Sequence, residues 1–332
     1  MLTWFWFILC AVLILYSGSR LSRYGDVIAE KTGLGRAWIG LFLMASVTSL
    51  PEMVTGISSV TYADLPDIAV GNVLGACVFN MLTLALLDAL ARPMPLSTKA
   101  HHGHVLSGGF GILMICIVSI GLMAGSKLPP LGWIGTYTVL IVVIYLGAIR
   151  LLYFYEKRQL AALVKGIFDE LKYRDISTKS AVIRYVAHAA VVIAVAIFLP
   201  MIGQDIARQT GLGTTFVGNI FIAFSTTLPE IVVSYAAIRI GAVDLAIGNL
   251  FGSNIFNIFI LALDDLFFIK GPILSHADPG HIIPALSAIL MTSIAIIGLT
   301  YRAEKKPLFL AWDAIGILVV YMANVMLLYA MA

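Results

Sequence analysis

The chain has 332 residues, 60% of them hydrophobic and 12% charged, with mean hydropathy +0.98. A soluble domain runs at about 45–50% apolar and about 25% charged residues, so a soluble enzyme and a nucleic-acid-binding protein fit poorly and disorder is excluded. The formal net charge of +3 is too small to argue for an acidic partner, and three cysteines in apolar stretches (Cys10, Cys77, Cys116) predict no disulfide framework.

The composition predicts an all-α polytopic membrane protein. A bilayer core of about 30 Å needs about 20 apolar residues per helix. Cutting at polar and Gly/Pro clusters gives ten spans: 3–18, 37–61, 67–90, 105–124, 130–153, 182–203, 214–239, 243–268, 282–300 and 307–331. No basic residue precedes the first span and no small-residue cleavage site follows it, so it is expected to be a retained helix. With the N-terminus outside, 18 of the 21 Lys and Arg residues fall in cytoplasmic loops, leaving Lys127, Arg208 and Lys270 opposite. That is the bias expected of cytoplasmic loops. The central connector, 154–181, reads as a solvated positive loop with a short amphipathic helix.

Two segments of the chain match each other. TGLGRAWIGLFLMASVTSLPEMVTG from Thr32 pairs with TGLGTTFVGNIFIAFSTTLPEIVVS from Thr210 at an offset of 178. DIAVGNVLGACVFNMLTLALLDAL then pairs with DLAIGNLFGSNIFNIFILALDDLF at 177. They share Gly, Pro, Glu, Asn and Asp in register, which apolar composition alone does not produce. Five spans separate the copies, so they cross the membrane in opposite directions. The expected architecture is ten helices as two inverted-topology five-helix repeats, 1–153 and 182–332, an arrangement that places a binding site near the midplane.

Glu52 and Glu230 are the acids nearest the centre of any span. A carboxylate there costs several kcal/mol unless it meets a partner or a water-filled cavity. Pro51 and Pro229 precede them, and proline withholds an amide proton and clashes with the preceding turn. The break therefore offers backbone carbonyls together with the hydroxyls of Thr48, Ser49, Thr226 and Thr227. Asn80 and Asn257, with Asn72 and Asn249 two turns earlier, add amide oxygens, and Gly71, Gly75, Gly248 and Gly252 permit close helix approach. Such donors suit hard cations such as Ca²⁺ and Na⁺. A purely structural role, kinking by Pro and packing by Gly and Asn, accounts for either copy alone; equivalent glutamates in both copies favour a site.

At these residues the sequence resembles the sodium/calcium exchanger family, prokaryotic type, within the cation/Ca²⁺ exchangers. TSLPE at 48–52 with GNVLGACVFN at 71–80, and TTLPE at 226–230 with GNLFGSNIFN at 248–257, match its paired motifs. The resemblance implies that Glu52 and Glu230 coordinate Ca²⁺ with the backbone oxygens of Thr48 and Thr226. It also implies Na⁺ ligands at the Ala45 and Ala223 backbone, the Ser49 and Thr227 side chains, Asn80, Ser253 and Asn257. Ala76 stands where the family usually has Ser, Cys77 where the second copy has Asn254, and Asn257 where several exchangers have Asp. The implied activity is Ca²⁺/Na⁺ antiport by alternating access, with Ca²⁺ and Na⁺ as transported ions and no cofactor. The resemblance further implies that the first and sixth helices slide as a pair. The alternative reading is an H⁺-coupled exchanger of Ca²⁺ or another divalent cation such as Mg²⁺.

Two glutamates carry about −2, which one Ca²⁺, two Na⁺ or two H⁺ would neutralise, so exchange is expected to be near electroneutral. An intramembrane enzyme is disfavoured because no paired central aspartates, Ser/His pair or His-Glu-x-x-His motif is present. Asp88 and Asp265 read as boundary acids that cap or snorkel, and His101, His102 and His104 as a solvated loop cluster. The expected location is the plasma (inner) membrane of a prokaryote, with the lipid bilayer as surroundings, no nucleic acid and no oligomeric state specified.

Overall fold

The computed structural model describes residues 2–91, 94–127, 129–163, 173, 175–198, 201, 217–306 and 310–331. The opening of the second motif copy, 210–216, and the basic residues Arg92, Lys165, Lys172, Arg174 and Arg208 lie outside these. Within them the chain is nearly all helical, and the one isolated strand-type bridge joins Leu131 to Ile134.

Eight helices among the described residues are long and apolar enough to cross a bilayer: Arg36–Ala63, Pro66–Leu90, Gly103–Ala124, Thr136–Arg158, Thr178–Val195, Val243–Phe267, Pro279–Tyr301 and Trp312–Met331. The first expected span lies in α1 (Leu2–Thr32). The seventh corresponds to a π-helical segment, Val217–Ile222, followed by short helices.

Helix α1 runs well past residue 18, where the hydropathy falls. Its second half buries Leu21, Tyr24, Val27 and Ile28, a helical stripe that packs on Ala181, Tyr185 and Ala189 of α9 (Thr178–Ala196). An amphipathic face thus continues a helix whose polar face ends the hydropathy signal. The helix α8 (Thr136–Leu163) likewise passes residue 153, through Glu156, Lys157, Arg158 and Gln159. These residues are good helix formers even though they are not apolar.

The second span is broken. It comprises α2 (Arg36–Trp38), a π-helical turn Ile39–Met44, α3 (Ala45–Thr48), α4 (Leu50–Ser58) and a second π segment, Ser59–Ala63. The seventh repeats this plan: Val217–Ile222 lies at the equivalent positions, then α10 (Ala223–Thr226) and α11 (Leu228–Arg239). Helix α5 (Pro66–Leu90) and helix α12 (Val243–Phe267) follow the two broken spans. The remaining elements are α6 (Leu96–Lys99), α7 (Gly103–Ala124), α13 (Ile273–His276), α14 (Ile282–Tyr301) and α15 (Trp312–Met331).

The two broken spans pack crosswise. The Ile39–Met44 turn lies on α12 and the Val217–Ile222 turn lies on α5. A Cβ on Gly252 would press into the Leu41 backbone carbonyl, and one on Gly75 into that of Asn219. Glycine at both positions lets backbone meet backbone, as small residues do at membrane helix crossings. The largest core unites α5, α7, α8, α12, α14 and α15, whereas α1 and α9 belong to a separate cluster that also holds Val233 and Ala237.

Candidate cation site

Helix α3 ends at Thr48 and α4 begins at Leu50, with Ser49 between them at φ −89°, ψ 9°. Thr227 occupies the same place between α10 and α11 at φ −78°, ψ −3°. Pro51 and Pro229 sit in the first turn of the helices that follow, where a missing amide proton is tolerated. Glu52 and Glu230 also fall in that turn. The positive end of each helix dipole favours a carboxylate there.

The breaks bring the halves together. Ser49 Oγ donates to Glu230 Oε1 at 2.8 Å, and Thr227 Oγ1, which donates to Ala223 O at 2.7 Å, lies 3.5 Å from Glu52 Oε1. Thr48 Oγ1 donates to Asn249 Oδ1 at 3.3 Å, and Thr226 Oγ1 to Asn72 Oδ1 at 2.9 Å. Ser253 Oγ adds a 3.3 Å contact to Glu230 Oε1, and Asn80 Nδ2 donates to Asn254 Oδ1 at 2.9 Å. Thr48, Ser49, Glu52, Asn80, Thr226, Thr227, Glu230, Ser253 and Asn257 are all fully buried.

Each carboxylate keeps one buried oxygen without a hydrogen-bond partner among the described residues, Glu52 Oε2 and Glu230 Oε2. Asn80 Oδ1 and both polar atoms of the Asn257 side chain are also unpartnered. Buried polar atoms are normally satisfied, so this concentration marks a place suited to an additional partner. Oxygen donors with two carboxylates suit a hard cation. No group of three or more His, Cys, Asp or Glu residues poised to hold a metal occurs among the described residues.

The backbone oxygens differ in availability. Ala45 O accepts Ser49 N at 3.0 Å and Thr48 Oγ1 at 3.3 Å. Ala223 O accepts Thr227 N at 3.0 Å, Thr226 Oγ1 at 3.1 Å and Thr227 Oγ1 at 2.7 Å. Both would meet a cation only after those hydroxyls turn away. Cys77 meets its counterpart Asn254, with Sγ 3.9 Å from the Asn254 carbonyl oxygen.

Two pairs, each a buried histidine against a half-buried aspartate, flank the site and escaped the sequence reading. His104 Nε2 lies 3.1 Å from Asp244 Oδ1, and His281 Nε2 lies 3.2 Å from Asp67 Oδ1. The expectation of a solvated histidine cluster is therefore corrected for His104, which is fully buried in α7, although His102 is exposed. The 177-residue offset relates Asp67 to Asp244 and His104 to His281, a signal that would have found them. Asp88 and Asp265 cap, as expected. Asp88 accepts Leu96 N at 2.7 Å and Ala311 N at 2.8 Å, and pairs with Lys306 at 3.0 Å. Asp265 accepts Ile273 N at 2.6 Å, Gly135 N and Tyr137 Oη at 2.8 Å, and Thr138 Oγ1.

A family model described as sodium/calcium exchanger protein matches residues 2–155 and 179–330. The chain belongs to the sodium/calcium exchanger family. The exchanger is 27% identical over 302 residues to the inner membrane protein YrbG of Escherichia coli (strain K12), covering 89% of this chain and 88% of that one. It is 24% identical to the sodium/calcium exchanger MaX1 of Methanosarcina acetivorans over 355 residues, covering 98% of both. Its fold is similar to that of the sodium-calcium exchanger NCX_Mj soaked with 2.5 mM Na⁺ and 0.1 mM Ca²⁺, with TM-score 0.72, 20% identity and 98% of each chain covered. The exchanger is thus an integral membrane protein of an antiporter family, not of a family of catalysts.

Proposed function

We propose that the exchanger moves Ca²⁺ against Na⁺ by alternating access, near electroneutrally, through a central site built on Glu52 and Glu230. The observation that carries this reading is the pair of buried carboxylates, each faced by a hydroxyl from the opposite half and each with one oxygen that has no hydrogen-bond partner among the described residues. Thr48, Ser49, Thr226, Thr227, Ser253, Asn80 and Asn257 supply further oxygens, and the Ala45 and Ala223 carbonyls join once their hydroxyl partners rotate. An empty site with two bare carboxylates resists crossing between states, because buried charge is costly. One Ca²⁺ or two monovalent cations remove that cost.

The reading treats 1–153 and 182–332 as inverted halves joined by 154–181, in a prokaryotic inner membrane with the N-terminus outside. Helices α1 and α9 pack on each other and on the broken spans in a cluster apart from the largest core, which supports these two helices as the moving pair. The test is Ca²⁺ flux into liposomes holding the purified protein, with Na⁺ and H⁺ gradients imposed separately and membrane current recorded. Na⁺-driven Ca²⁺ uptake without current is expected. Uptake driven by H⁺ alone favours proton coupling, and a clear substrate-dependent current overturns electroneutrality.

A further inference from the structure

Asp264 and Asp265 are neighbours in α12 and both are fully buried, yet their surroundings differ completely. Asp265 receives donors from Gly135, Tyr137, Thr138 and Ile273. Asp264 has neither oxygen partnered among the described residues. Its carboxyl group fills the space that a Cβ on residue 56 would need, so Gly56 is what makes room for it. Gly56 lies one turn of α4 beyond Glu52, about 6 Å along the axis. Asp264 lies seven residues beyond Asn257, which returns it to the same face of α12.

The first half shows that packing alone does not require this acid. The residue equivalent to Asp264 is Leu87, which is buried, and the one equivalent to Gly56 is Ser234. A carboxyl group and the space for it therefore occur together at one of the two equivalent helix contacts only. The structural capping role belongs to Asp265, as it does to its counterpart Asp88.

Along the ends of α4 and α12 that carry Gly56 and Asp264, and among the residues bonded to them, the charged and titratable groups are few. They are Asp265, already engaged; Glu52, one turn away on α4; Tyr137, bonded to Asp265; and Asp64, which ends the Ser59–Ala63 segment in an exposed ion pair with Lys270 at 2.5 Å. None is a cation placed to balance Asp264. A metal ion needs several oxygen donors, whereas a proton needs only the carboxylate.

We propose that Asp264 is a third cation-binding acid of the transport cycle, a proton site beside Glu52, and that its proton crosses with Ca²⁺. The inference rests on the antiporter reading and refines its ion count. With three acids, Ca²⁺ plus one proton neutralises one loaded form and three monovalent cations neutralise the other. Asp264 holds its proton in the Ca²⁺-loaded form and releases it to water on the far side as Ca²⁺ gives way to Na⁺ ions, which take the several oxygens of the central site. Both loaded forms stay neutral, so exchange remains without net charge movement.

The test uses liposomes holding full-length wild type, Asp264→Asn or Asp264→Leu (the residue found at position 87), with Ca²⁺ and pH indicators inside, a Na⁺ gradient and symmetric starting pH. Wild type is expected to acidify the interior during Ca²⁺ uptake, one proton accompanying each Ca²⁺. In both variants, whatever Ca²⁺ is taken up is expected to enter without acidification. Infrared spectra of detergent-purified wild type with Ca²⁺ should show a protonated-carboxyl stretch that either variant lacks, a readout independent of transport. Unchanged acidification in the variants, no acidification in wild type, or alkalinisation from protons moving opposite to Ca²⁺ would overturn the proposal. Failure of wild type to move Ca²⁺ under either gradient would instead overturn the antiporter reading.

Discussion

Ser49 Oγ lies 2.8 Å from Glu230 Oε1 although 181 residues separate the two in the chain. The break in one broken span thus holds the carboxylate of the other. The reciprocal contact, Thr227 to Glu52, is longer at 3.5 Å, so the two halves grip each other unequally.

That inequality is measurable. A hydrogen bond to a charged group contributes about 1.5–3 kcal/mol, so Ser49→Ala should weaken Ca²⁺ binding about tenfold or more. Thr227→Ala should cost less, because its contact is at the outer limit of a hydrogen bond. Calcium titration of the purified variants compares them directly, and equal losses would show that the geometric difference carries no energy.

Glu52→Gln and Glu230→Gln should each abolish Ca²⁺ flux, since removing one charge leaves a divalent cation uncompensated in a buried place. Ligand removal gives a second view. A ligand present at 100 times its Kd stabilises the folded state by about 2.7 kcal/mol, so chelating Ca²⁺ should lower the melting temperature of wild type. Thermal scans of either glutamine variant should show no Ca²⁺ dependence.

Gly252→Ala should destabilise by about 1–3 kcal/mol, the usual cost of overpacking, because its Cβ meets the backbone of Leu41. Gly109→Ala is the control: nothing lies within 4 Å of its Cβ position, and alanine is the better helix former by about 1 kcal/mol. Opposite shifts in detergent melting temperature are expected from two substitutions of the same kind.

His104→Ala and His281→Ala each strip a ring partner from a helix-start aspartate, Asp244 and Asp67. Each aspartate is half-buried and keeps a backbone donor, His101 N or Asp278 N, so each loss should be about 0.5–1.5 kcal/mol, the usual net worth of a hydrogen bond. The two pairs share no residues, so the double variant should show additive losses. A double variant no worse than either single one would mean that the pairs act as one unit.

Much of this protein was legible in its residues because the relevant signals are local. Long apolar runs report a membrane, and Pro51 and Pro229 announce broken helices through a missing amide proton. Gly, Asn and Glu recurring at a fixed offset report equivalence between halves. The offset held further information in Asp67, His104, Asp244 and His281. The burial of His104 was missed because His101 and His102 beside it make the run look like a loop. The length of α1 was hidden by Arg20 and Arg23, whose polar face ends the hydropathy signal while Leu21, Tyr24 and Val27 continue the packed one.

By itself, the sequence determined that this chain is a helical membrane protein of the exchanger family and which residue types stand at its two helix breaks. Only the tertiary structure decided that Ser49 reaches Glu230 rather than Glu52, and that Asp265 is satisfied while the adjacent Asp264 has no hydrogen-bond partner among the described residues. The reason is physical. Turn chemistry and hydropathy act over a few residues, whereas the partner of a buried polar atom is set by which helices cross. Here that depends on glycines such as Gly75 and Gly252 allowing one half's backbone to rest on the other's.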